Sequence, residues 1–365
     1  MKKVLFTATV DSHILHFHTP YLQYFKDEGF EVHVATNGSE EIPFCDVKHV
    51  IRFERNPIKP NNLKAIRELR KIIDKEKFDI IHTHTPMGGV VTRLAAINAR
   101  KKGTKVIYTA HGFHFYKGAP LINWLMYYPI EKLLSYHTDC LITINKEDYE
   151  LALKKMKAKE IKNINGVGVD IEKTKKTKVD IKLKRKELGV PEKAFVILSV
   201  GELNKNKNHE IVIKALSELN NSKIHYIICG QGNLESYLKE LINKLGLEKQ
   251  VHLLGYRNDV AEIYKVSNIF IFPSKREGLP VSLMEAMSCG LPVICSNVRG
   301  NRDLVQSKKN GFLLYPNDIN GFCKSIDKLI FDKQLIKSIG ENNRNQMEKY
   351  SINNVMSEMK NIYFI

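Results

Sequence analysis

The chain is expected to fold as an α/β protein with parallel, doubly wound sheets. Three observations predict it: strand-like and helix-like segments alternate through the first half, a second alternation follows a basic segment, and the strand segments run into short loops containing Gly, His or Glu. At 365 residues the chain is long for one hydrophobic core and comfortable for two.

In the first half, Val4–Val10 and Glu31–Ala35 read as strands around a helix near Thr19–Glu28 that Gly29 ends. A helix is expected over Asn62–Glu76, because Leu63, Ile66, Leu69, Ile72 and Ile73 fall at helical spacing. Asp79–His84 reads as a strand entering a loop, Gly89–Arg100 as a helix, and Lys105–Ala110 as a strand closing on His111-Gly112. In the second half, strands are expected at Phe195–Val200, Ile224–Cys229, Val251–Leu254, Ile269–Phe272 and Pro292–Ser296. Helices are expected at Glu210–Asn220, Leu234–Leu245 and Val260–Val266. The halves join near Asn165-Gly166-Val167-Gly168-Val169-Asp170. This divides the chain into a first domain over 1–170, a second over 171–345, and a C-terminal helix over 346–365 expected to pack back on the first domain.

Composition narrows the setting. No run of about 18 apolar residues occurs, so a spanning helix is not expected. Asp11, His13, His16 and His18 interrupt the N-terminal apolar stretch too soon for a signal peptide, and a first strand accounts for it better. The six cysteines are scattered without a Cys-x-x-Cys pair, as expected for free thiols in a reducing cytoplasm. The formal charge is +17, and about half of the surplus lies in 151–193, which carries 14 basic and 6 acidic residues. That segment admits two readings: a solvated lysine-rich surface, or attraction to anionic headgroups or a lipid-linked diphosphate. No binding motif accompanies the charge that would make nucleic acid a partner.

The most informative stretch is Ser274 to Met287. Ile269-Phe270-Ile271-Phe272 reads as a buried strand, and a helix opens at Val281 after Pro280. Glu277 therefore falls in the loop and Glu285 about a turn and a half into the helix. The unpaired N–H groups near Val281 and Ser282 lie between them, a ready site for an anion.

With these residues in view, the chain resembles the retaining GT-B glycosyltransferases of family 4. The resemblance rests on the Glu-x7-Glu pair Glu277/Glu285, Gly-Leu-Pro-Val at 290–293, Val200-Gly201-Glu202-Leu203 followed by Lys207, Gly230-Gln231-Gly232, and the inter-domain Asn165 to Asp170 segment. Asp11 to His18 and Thr109 to His114 resemble the subgroup that builds capsule and exopolysaccharide repeat units. The resemblance implies a GT-B fold of two Rossmann-like domains facing a cleft. The implied activity is a retaining hexosyl- or N-acetylhexosaminyltransferase. It would move sugar from a nucleotide sugar, here a UDP-sugar, to an undecaprenyl-diphosphate-linked saccharide in capsule, exopolysaccharide or O-antigen assembly. A nucleotide-sugar 2-epimerase of the same fold is the alternative.

The resemblance also assigns roles. Lys207 would reach the diphosphate with the loop residue Asn204 and the N–H groups of Val281 and Ser282, Glu285 would accept from the ribose hydroxyls, Glu277 would bind the transferred sugar, and His111 would stand beside that sugar. Glu202 stands where the family carries an arginine, so one cation is missing. Gly230, Gly232, Tyr256 and Arg257 follow strands, where backbone approaches a nucleobase; a tight turn explains the glycines equally well. His13, His16 and His18 replace the glycine-rich loop that many relatives carry after their first strand.

His82 and His84 invite a metal reading, but no third ligand stands nearby in sequence and no Asp-x-Asp triplet occurs. The family works without a bound metal, and neither metal nor other cofactor is expected. Phe113 to Ile130 crowds aromatic and aliphatic residues around Lys117 and contains the single tryptophan, Trp124. It reads either as a membrane-contact surface or as an ordinary core helix. The expected location is the cytoplasm, peripheral at the inner face of the cell membrane.

Overall fold

The computed structural model describes residues 1–57 and 59–364; residue 365, the last of the expected C-terminal helix, lies outside them. The chain divides into two units, Met1–Val167 with the C-terminal residues from Val355 on, and Gly168–Asn354.

The first unit runs β1 (Lys3–Val10), α1 (Asp11–Phe17), α2 (Thr19–Asp27), β2 (Glu31–Asn37), β3 (Val47–Val50), α3 (Asn61–Glu76), β4 (Ile80–His84), α4 (Pro86–Ala95), α5 (Ile97–Lys101), β5 (Lys105–Ala110), α6 (Leu121–Ser135), β6 (Cys140–Thr143), α7 (Lys146–Lys155) and β7 (Glu160–Asn163). Its seven strands are parallel in the order β3-β2-β1-β4-β5-β6-β7. Helices cover both faces of such a sheet, so the inner strands are apolar along their whole length. Leu5, Phe6, Ile81, Val106 and Ile107 are fully buried accordingly.

The second unit continues with α8 (Ile171–Lys176), α9 (Ile181–Glu187), β8 (Phe195–Val200), α10 (Glu210–Leu219), β9 (Ile224–Cys229), α11 (Glu235–Lys244), β10 (Val251–Leu253), α12 (Val260–Val266), β11 (Ile269–Phe272), α13 (Val281–Ser288), β12 (Val293–Ser296), α14 (Arg299–Leu304), β13 (Gly311–Leu314), α15 (Ile319–Phe331) and α16 (Lys333–Met347). A 3-10 turn follows, and then α17 (Ile352–Phe364), which from Val355 on belongs to the first unit. Its six parallel strands are ordered β10-β9-β8-β11-β12-β13. In each sheet the winding reverses once, between β1 and β4 and between β8 and β11, and ligands of doubly wound folds gather outside the carboxyl ends of strands at that point.

Two local expectations need correction. The helix expected over Gly89–Arg100 begins earlier and breaks at Ala96, giving α4 and α5. The segment after β1 is not a loop: Asp11 to Phe17 is helical. Buried Asp11 anchors it, accepting from the Thr36 hydroxyl (2.5 Å), the Glu40 N–H (2.9 Å) and Lys48 Nζ (2.9 Å). In the aromatic stretch, Trp124 packs against Phe115 and Tyr128 and its indole N–H donates to the Tyr116 carbonyl at 3.3 Å. The outward residues of α6 are aliphatic instead, with Leu121 80% and Leu125 73% exposed. From the far end of the chain, the Tyr363 hydroxyl meets His82 Nδ1 at 2.8 Å, and Lys105 Nζ donates to the Ile362 carbonyl at 2.6 Å.

Candidate active site

Each unit holds a polar cluster at its switch point. In the second unit, the loop after β8 carries Lys207 and the loop after β11 carries Glu277. Lys207 Nζ donates to Glu277 Oε1 at 2.7 Å and lies 4.6 Å from the centroid of the Phe272 ring. The two loops are laced together: Asn204 Oδ1 accepts from the N–H groups of Asn206 and Lys207, both at 3.0 Å, and Asn206 Nδ2 donates to the Arg276 carbonyl at 3.0 Å. Asn204 thus shapes the loop that presents Lys207.

Pro280 precedes α13 in an extended conformation, and no side chain caps the helix. The N–H groups of Val281 and Ser282 therefore head a helix start that places partial positive charge beside Glu277 and Lys207. Glu285 lies on the same helix. The Tyr264 hydroxyl sits 3.1 Å from Glu285 Oε2 and 3.0 Å from the Ser282 carbonyl. Burial pushes the Glu285 carboxyl above its ordinary range, offset in part by Tyr264 and Lys173. Glu202 is exposed at the mouth of the loop.

The glycines have a packing reason of their own. A Cβ on Gly230, whose φ is +152°, would lie 2.0 Å from the Gly201 carbonyl oxygen, and one on Gly232 would lie 2.4 Å from that of Leu203. The chain after β9 presses against the loop after β8 so closely that only glycine fits. Tyr256 is exposed, whereas Arg257 is held by Asp259 and Glu187, its Nε donating to Asp259 Oδ1 at 2.7 Å and its Nη2 to Glu187 Oε1 at 2.7 Å. Arg299 was not anticipated; it is buried and its Nε donates to the Glu277 carbonyl at 3.0 Å, fixing the loop that bears the carboxylate. Tyr264 and Arg299 reach their partners only through tertiary contact.

In the first unit, His111 follows β5 and meets His13 of α1 and His84 at the end of β4. The Nε2 atoms of His13 and His111 are 3.3 Å apart, and His111 Nε2 is 3.4 Å from His84 Nδ1. Burial holds His111 down to about 4 and keeps His13, His18 and His84 well below the ordinary histidine range. These imidazoles are neutral at physiological pH. Thr85, next in the chain, adopts φ +62° and takes its place among the residues lining a 590 Å³ cavity. His13, His16, Phe17, Arg55, Gly112, His114 and Tyr127 also line it. Buried Glu131 closes one wall, paired with Arg93 at 2.8 Å.

Two parallel Rossmann-like sheets, each with polar side chains at its switch point, define an α/β enzyme of the GT-B class. Residues 180–346 match the family described as glycosyl transferases group 1, and residues 3–145 match the glycosyl transferase 4-like family. Over 99% of its length and 96% of the relative's, the chain is 40% identical to the putative glycosyltransferase EpsD of Bacillus subtilis. It is 33% identical, over 83% of its length and 79% of the relative's, to the UDP-Gal:alpha-D-GlcNAc-diphosphoundecaprenol alpha-1,3-galactosyltransferase of Escherichia coli. The crystal structure of Anabaena Alr3699/HepE in complex with UDP and glucose superposes with a TM-score of 0.82 at 22% identity, covering 99% of each chain. The chain belongs to the group 1 glycosyltransferases. Among the described residues, no helix is long and apolar enough to cross a membrane.

Proposed function

We propose that this glycosyltransferase moves a hexose or N-acetylhexosamine from a UDP-sugar to an undecaprenyl-diphosphate-linked saccharide with retention of configuration, in the assembly of a capsule, exopolysaccharide or O-antigen. The observation that carries this reading is the contact between Lys207 and Glu277 at the start of α13, with Glu285 one helix turn and a half further on. A cation and a helix N-terminus suit a diphosphate, whose charge grows as the sugar departs. Glu285 would accept from the ribose hydroxyls and Glu277 from the transferred sugar, and His111 would contact a hydroxyl of that sugar. Arg257, Tyr256 and the Gly230–Gly232 turn would border the base, Arg257 through its backbone because its guanidinium is engaged. The diphosphate contacts come from the protein, so transfer would require no metal ion.

The galactosyltransferase of Escherichia coli, named for a diphosphoundecaprenol acceptor, supports a lipid-linked acceptor here. The UDP and glucose bound to the Anabaena protein support a UDP-sugar donor. The 590 Å³ cavity of the first unit is the place we assign to the acceptor. The aliphatic face of α6, whose last residue Ser135 accepts from the Lys157 N–H at 2.8 Å, would rest on the inner face of the cell membrane.

The test is incubation with a panel of UDP-sugars and a synthetic polyprenyl-diphosphate saccharide. Transfer of one sugar to the lipid, with no conversion of the donor alone, is the expected result. Conversion of UDP-N-acetylglucosamine in the absence of acceptor would point to a 2-epimerase and overturn the reading.

A further inference from the structure

Four histidines that are remote in sequence meet at the switch point of the first sheet. His13 lies in α1 and His18 just after it, His84 ends β4, and His111 follows β5. One ring nitrogen from each lies within 4.8 Å of one from every other. The two contacts that join these rings are long for hydrogen bonds. Paired imidazoles elsewhere in the chain, His33 with His49 and His225 with His252, sit at 2.9 and 3.0 Å, an ordinary hydrogen-bond distance. In the cluster the separations are 3.3 Å between His13 and His111 and 3.4 Å between His111 and His84, and both involve the single Nε2 of His111. One nitrogen carries one proton or one lone pair, so it cannot satisfy both neighbours. Those separations match the edge of a tetrahedron around an ion bound at about 2.0–2.1 Å, which is about 3.3–3.4 Å.

The fourth imidazole gives independent support. His18 is 3% exposed, and both of its ring nitrogens are buried without a hydrogen-bond partner among the described residues. Buried polar atoms are rarely left unpaired, since each costs free energy unless something binds it. His82 shows the contrast: its nitrogens meet Tyr363 and Thr109, each at 2.8 Å, and it stands outside the set.

We propose that His13, His18, His84 and His111 form a site for a divalent transition-metal ion of the zinc class, for which neutral imidazole is a favoured ligand. His13 is the entry side, because it also lines the 590 Å³ cavity while His18 and His84 are enclosed. The site shares His111 with the place proposed beside the transferred sugar, whereas the diphosphate is assigned to Lys207 and the start of α13.

The experiment uses full-length protein freed of any affinity tag and stripped with a chelator. Titration with Co2+ should give a visible d–d absorption characteristic of low-coordinate nitrogen ligation, saturating at one equivalent and bleached by Zn2+. Zn2+ alone should raise the melting temperature. His13→Ala, at a half-buried position, and His84→Phe, which keeps an aromatic ring at that position, should each weaken binding about 100-fold or more. Circular dichroism of both variants checks that the fold persists. Absence of the cobalt band and of a zinc-induced melting shift overturns the proposal, and so does binding that survives when His13→Ala and His84→Phe are combined.

Discussion

Replacing Glu277 with Gln should tighten binding of UDP while sharply reducing sugar transfer. In the structure Lys207 is already neutralised: its ammonium sits 2.7 Å from Glu277 Oε1, and the two side chains are only 20% and 12% exposed. A diphosphate must draw Lys207 away from this carboxylate before it can bind. The gross attraction at 2.7 Å is about 6 kcal/mol at an effective dielectric of about 20. Desolvation and side-chain ordering cancel most of it, leaving about 1–2 kcal/mol for a half-buried pair. Removing the charge of Glu277 should therefore tighten UDP about 5- to 30-fold. Lys207→Ala should weaken UDP about 10- to 150-fold, the range of a charge-assisted contact worth about 1.5–3 kcal/mol. Isothermal titration of UDP into wild type, both single variants and the double variant gives the full cycle. Transfer to a lipid-linked acceptor, measured on the same proteins, should fall at least about 100-fold in Glu277→Gln, a loss of the size seen when a transition-state contact is removed. A tenfold loss of UDP affinity in Glu277→Gln would refute the reasoning, as would strictly additive effects in the double variant.

Glu285→Gln should raise the melting temperature of the nucleotide-free protein at neutral pH and remove its stabilisation by UDP. Burial raises this carboxyl, so the stability that it contributes is complete below its unfolded value and disappears as pH rises through the folded one. The wild type should lose stability relative to the variant over that interval in melting curves taken from acid to neutral pH. Glu131→Ala should cost about 3–5 kcal/mol in urea unfolding, because it strands buried Arg93, whose guanidinium also lies 3.9 Å from the Tyr108 ring centroid. Glu131→Leu combined with Arg93→Met should cost less than Glu131→Ala alone. Leu125→Glu on the exposed face of α6 should leave the melting temperature unchanged and reduce co-sedimentation with anionic vesicles; equal vesicle binding would remove α6 as the contact.

Local patterning accounts for what could be read in advance. Continuous apolar runs such as Ile269 to Phe272 and the helical spacing of Leu63 to Ile73 are nearest-neighbour properties, and they appear as β11 and α3. The positions of Glu277 in a loop and Glu285 in a helix follow from the same patterning. The break at Ala96 and the helix at Asp11 to Phe17 were not legible. Asp11 is held by Thr36, Glu40 and Lys48, which lie 25 to 37 residues away. The aromatic stretch reads in sequence as either a membrane surface or a core helix, and the pitch of α6 turns Trp124 toward Phe115 and leaves leucines outside.

By itself the sequence determined the two alternating halves, the strand-to-helix junction at Pro280 and the family, because each rests on residue order within a short window or on motifs in series. Tertiary structure alone decided which charges meet. Lys207 and Glu277 are 70 residues apart, and His13 and His111 are 98 apart. A parallel doubly wound sheet returns each strand end to the same edge, so side chains that no local pattern connects converge at the switch point. For that reason the histidines at 82 and 84 suggested a metal site with no third ligand, while the fold brings His13, His18 and His111 around His84 and gives His82 to Tyr363.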